Sequence, residues 1–127
     1  MCIRDRAWEA RCLELHARAR EGRRNVLSPP GERHGLAKRL LQSATLAGSR
    51  ALGAPVEGIE MGAPADLIAV DLTRSAAQGV PPLEAVAFAS NPDWVTDVWV
   101  AGRRVVADGR HARRVEIMAA AAPYLRA

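Results

Sequence analysis

The apolar positions of the chain follow a helical period in its first half and a strand-like one later. Between Ala7 and about Glu21, Trp8, Cys12, Leu15 and Ala19 recur at spacings of four, three and four residues. That spacing predicts a helix with those four side chains on one face, and Arg11, Glu14, Arg18 and Arg20 turned elsewhere. Gly22 is a stop signal, and Ser28-Pro29-Pro30-Gly31 reads as a loop or turn. A second helix is predicted from about Gly35 to Leu52, its stripe formed by Leu36, Leu40, Ala44, Ala47 and Ala51. Leu41 and Leu52 widen that stripe, and Gly53 followed by Pro55 ends the helix.

Beyond Gly53 the pattern changes. The stretch to Pro64 is rich in Gly and Pro, with Val56 and Ile59 expected to form a short strand. The turn Gly62-Ala63-Pro64-Ala65 then leads into Leu67 to Val70, a short apolar run bounded by Asp66 and Asp71. Such a run predicts a strand buried on both faces. Thr73 to Pro82 reads as a loop, with Pro82 opening a short helix through Leu83, Val86 and Phe88. Asn91-Pro92-Asp93 is a further turn. Val95–Val100 and Arg103–Ala107 alternate around Ala101-Gly102, the pattern of a tight hairpin. Asp108-Gly109 is another turn signal, and a final helix is predicted from about Ala112 to Pro123. The expected fold is a mixed α/β arrangement in which one helix covers a thin sheet of three strands. The two leading helices have no evident partner, so the chain reads as part of something larger.

Length and composition narrow this picture. At 127 residues, 49% hydrophobic and 25% charged, the chain suits one soluble domain with a modest core. No apolar run approaches the roughly 20 residues that cross a bilayer, so the expectation is a cytoplasmic protein without a membrane partner. The net charge of +4 comes almost entirely from dispersed arginines, Lys38 being the only lysine, and aromatic residues are 4% of the chain. Dispersed charge without stacking rings predicts no nucleic-acid partner. Met1 to Arg6 fits poorly with the sequence downstream of it and reads as a non-native or disordered start.

The chemistry-bearing residues do not form a site by spacing. His16, His34 and His111 are far apart, and Cys2 and Cys12 make no ligand pattern, so neither metal nor disulfide is predicted. Asp66 and Asp71 are five apart across a strand, which puts them on opposite faces and makes them strand-end markers rather than an acid/base pair. Gly58 and Gly62 do not link a strand to a helix as a phosphate loop requires. Ser43 and Ser49 lie on a helix, outside the Gly-x-Ser-x-Gly turn of an exposed nucleophile. Arg23-Arg24-Asn25 is the one polar cluster suited to an anionic ligand, although base rates for surface charge favour a solvated helix end. No catalytic, cofactor-binding or metal-ligating residue is assigned.

Two longer stretches resemble a known family. Ser43-Ala44-Thr45-Leu46-Ala47-Gly48-Ser49-Arg50-Ala51-Leu52-Gly53 and Gly58-Ile59-Glu60-Met61-Gly62-Ala63-Pro64-Ala65-Asp66-Leu67-Ile68-Ala69-Val70-Asp71 resemble the C-terminal region of metal-dependent amidohydrolases. Val95 to Val106 is similar to the terminal hairpin of that family. Leu13-Glu14-Leu15, Arg23-Arg24-Asn25-Val26-Leu27 and Val106 to His111 resemble the branch that acts on N-formimino-L-glutamate in histidine degradation. Alternatives are the guanine deaminase and chlorinated-heterocycle branches, or a stand-alone binding module. The resemblance implies residues 7–53 as the last helices of a TIM-like (β/α)8 barrel. Residues 54–111 would be strands of a small composite β-sandwich domain, with a short helix among them, and 112–127 a terminal helix. It further implies a parent enzyme that uses zinc or another divalent metal, takes a small-molecule substrate and forms a homodimer. The family's metal ligands precede the matched region, so none is carried over. This chain's partner would be the missing N-terminal part, and alone it would be inactive.

Overall fold

The computed structural model describes residues 5–32, 35–54 and 58–125. Its first helix, α1, spans Arg6–Glu21, one residue earlier than the periodicity predicts. Asp5 causes the difference, because its side chain accepts from the Trp8 N–H and caps the helix. Gly22 ends α1 in the left-handed conformation, its N–H donating to the Arg18 carbonyl. The second helical run comprises α2 (Gly35–Gln42), a π-helical turn (Ser43–Ala47) and α3 (Gly48–Ala51). Its extent agrees with the predicted helix. The π turn is a departure from the regular helix that the periodicity implies; Ser43 and Thr45 there donate to the carbonyls of Arg39 and Leu41.

A third helical piece, α4 (Pro82–Glu84) and the π turn Ala85–Ala89, begins at Pro82 as expected. It supplies the partner that sequence alone did not reveal for the leading helices. Ala10, Leu36 and Leu40 form one buried cluster, against which Leu27, Ala44 and Phe88 pack. Ala77, Ala85 and Trp94 form a second, flanked by Val70, Leu72 and Ala89. The segment 82–89 therefore serves both clusters, Phe88 on one side and Ala85 and Ala89 on the other.

The packing corrects the predicted face of α1. Its buried residues are Ala10 and Glu14, whereas Trp8 and Leu15 are about half exposed and Ala19 is exposed. Ala10 and Glu14 are four apart and share a face. That face meets Leu36 and Leu40 of α2 together with the loop after α1 and segment 82–89, and the last two lie beyond the reach of a periodicity argument.

The sheet has four strands in the order β1 (Leu67–Val70), β2 (Val95–Val100), β3 (Arg103–Ala107) and β4 (Arg110–His111), all antiparallel. Two hairpin turns build it, Ala101-Gly102 and Asp108-Gly109, and all four of these residues have positive φ. Left-handed residues at both turn positions match the twist of the strands they join. β4 is a fourth strand beyond the three expected. β1 is an edge strand rather than a doubly buried one: Leu67 and Ile68 are exposed. Ile59 is also exposed and lies in a bend, not a strand; Val56, its expected companion, lies outside the described residues. The last helix, α5 (Arg114–Ala121), buries none of its residues, and Val115, Ile117 and Met118 are exposed.

Candidate functional site

The Arg23-Arg24-Asn25 cluster sits where α1 turns toward α2, and its backbone is fixed from below. Asn25 adopts a left-handed φ of 56°. The next two amides, Val26 N–H and Leu27 N–H, donate to the Glu14 carboxylate at 3.1 and 2.9 Å. Arg18 Nε donates to the same carboxylate at 2.7 Å, one turn further along α1. Glu14 is 1% exposed, so it is a buried charge with three donors, which is how such a charge is tolerated. Burial raises its pKa, but the bonds from Arg18, Leu27 and Val26 and the Arg18 charge outweigh burial and hold it below the ordinary carboxylate value.

The guanidinium groups of Arg23 and Arg24 are not drawn into this arrangement; both residues are exposed. Arg23 and Asn25 line a shallow open depression with Pro29, Pro30 and Glu32. Arg23 and the acidic Glu32 both line it, and both are exposed. The cluster therefore has the character of a solvated helix end rather than a built anion site.

The remaining sequence candidates are spent on local structure. Asp66 accepts the Ala101 N–H at 2.6 Å, and Gly102 N–H donates to the Ala65 carbonyl, so the start of β1 holds the β2–β3 turn. Asp71 accepts from the Thr73 hydroxyl and N–H and from Arg74, which lowers its pKa. The strand-end role expected of both aspartates agrees with these bonds. His16 donates from Nδ1 to the Cys12 carbonyl, and His111 Nδ1 accepts from the Arg113 N–H. His34 and Cys2 lie outside the described residues. Ser43 is bonded within its own helix, and Gly62 serves a turn at φ 88°.

Among the described residues, no three His, Cys, Asp or Glu side chains lie close enough to hold a metal ion. The donor set of a hydrolytic metal centre is therefore not found among them.

Two consequential residues carried no sequence signal strong enough to single them out. Arg11 donates to the carbonyls of Ala87 and Ser90 at 2.9 and 3.1 Å, tying α1 to the end of the 82–89 segment. Its guanidinium also lies 5.4 Å from the Trp8 ring centroid. Glu14 had one available signal, the i,i+4 spacing to Arg18. On the sheet, Arg104 bonds Asp97 and lies over Trp99, and Asp97 is thereby held below its usual pKa.

Residues 5–105 match the profile of the amidohydrolase family. A formimidoylglutamate deiminase of Pseudomonas aeruginosa is 37% identical over 82% of this chain, which spans 23% of that enzyme. The crystal structure of an amidohydrolase from Brucella melitensis superposes with a TM-score of 0.78 and 33% identity. An adenosine deaminase from Xanthomonas campestris with bound zinc gives the same TM-score at 29% identity. Each structural match covers 94% of this chain and 26% of the relative. The chain is thus about a quarter of the length of the proteins it resembles, and it belongs to the amidohydrolase family.

Proposed function

We propose that this chain is the C-terminal part of an enzyme that hydrolyses N-formimino-L-glutamate to N-formyl-L-glutamate and ammonia, a step of histidine degradation. The supporting observation is the 37% identity to a formimidoylglutamate deiminase, carried across 82% of the chain. In the reaction water adds to the imine carbon and the C–N bond to the departing ammonia breaks. In the whole enzyme a divalent metal, zinc by analogy with the Xanthomonas campestris relative, would be held by residues outside this chain and would lower the pKa of the attacking water.

This chain's own contribution is structural. α1 and the run from α2 to α3 close a (β/α)8 barrel, and the sheet belongs to a small β domain shared with the rest of the protein. The open edge of β1, with Leu67 and Ile68 exposed, is where that remaining part covers the sheet. The isolated chain binds no metal and is inactive; the whole enzyme is a cytoplasmic homodimer with neither membrane nor nucleic-acid partners.

The test is to recover the full reading frame and assay its product for ammonia release from N-formimino-L-glutamate, with adenosine and guanine as comparison substrates. Preferential turnover of a purine would overturn the substrate in favour of another amidohydrolase branch. Tight stoichiometric zinc in the purified 127-residue chain would overturn the structural role assigned to it.

A further inference from the structure

We draw no further inference here: the strongest candidate, the open apolar edge of β1 with the groove that Leu46, Ile59, Leu67 and Ile68 line beside it, carries nothing beyond the proposed function, because nothing in the structure shows what covers it and antiparallel self-pairing would set Asp66 against Asp71 of a second copy.

Discussion

Leu40 in the helical layer is 2% exposed, whereas Ile68 on β1, a side chain of the same size, is 62% exposed. The contrast extends to the surroundings of each. Leu40 belongs to a cluster closed by three helical segments, with Leu27, Ala44 and Phe88 at its margin. Ile68 lies on the outermost strand of a sheet whose other edge, β4, is only two residues long and carries Arg110 and His111. A short charged edge resists further pairing, while a longer apolar one invites it. Around Leu40 the helical layer closes with the chain's own residues, whereas the β1 edge is left exposed.

The largest expected effect lies in the helical layer. Glu14→Ala removes a buried carboxylate and leaves the Val26 and Leu27 amides without their acceptor. The expected loss is about 2–6 kcal/mol, at about 1–3 kcal/mol for each of the two orphaned amides, with Arg18, 32% exposed, returning to water; it is read by chemical denaturation. A loss below about 1 kcal/mol would mean that water replaces the carboxylate and the loop is not held by it. The pH dependence has a definite sign. Because the folded-state pKa lies below the ordinary value of 4.5, the contribution is fully present above that value. It is lost as pH falls through the lowered folded pKa, and the Glu14→Gln variant should show a flatter acid limb.

Leu40→Ala tests the same layer through packing alone. A leucine enclosed on all sides costs about 2–5 kcal/mol when truncated, depending on how far the cavity collapses. Arg11→Met comes next, at about 1.5–3 kcal/mol, since it removes charged donors from the Ala87 and Ser90 carbonyls. Methionine keeps most of the aliphatic stem, so the loss isolates the hydrogen bonds from the packing. Amide exchange offers an independent reading: in Arg11→Met, protection should fall around residues 85–90 before it falls in α2.

These residues mark the limit of what was legible in the sequence. Gly22, Pro82, Ala101-Gly102 and Asp108-Gly109 announced their structures because each is a local conformational preference. The extents of the two leading helices were legible for the same reason. The buried face of α1 was not, because beside Leu36 and Leu40 it is fixed by Val26, Leu27, Ala87 and Ser90, which bond Glu14 and Arg11 through backbone groups that leave no side-chain pattern. Trp8 and Leu15 met the helical period, yet each stays about half exposed. At the candidate site the aspartates' roles followed from strand geometry, whereas Glu14 was hidden by the general expectation that a charged helical residue faces water.

A smaller effect of opposite sign is expected in the sheet. Ala101 holds a φ of 48°, in the left-handed region that a residue with a Cβ enters at some cost. Asp66 and Ala65 hold the turn in place by accepting the Ala101 and Gly102 amides. Ala101→Asn, giving the Asn-Gly pair such turns prefer, should stabilise the chain by roughly 0.5–1 kcal/mol. A destabilisation would mean that the turn geometry is imposed by its contacts with residues 65–66 and that the alanine methyl is needed there.

The smallest effect is the one that most sharpens the contrast between the helical layer and the β1 edge. Ile68→Thr keeps β-branching, and with it strand propensity, while removing apolar surface. At 62% exposure the side chain gains little from folding of this chain alone, so the expected change is within about 0.5 kcal/mol. Should the β1 edge be covered in the full-length enzyme, the same substitution buries an unpartnered hydroxyl where a methyl group packed. The cost there should rise to about 1–3 kcal/mol. Measuring the variant in both lengths separates an intrinsically exposed strand from one awaiting its cover. Equal and small effects in the two would assign β1 permanently to the surface and remove the covering role proposed for the rest of the protein. A large loss already in the 127-residue chain would show that the sheet finds its cover within this chain, and that the helical layer and the β1 edge differ less than their exposures imply.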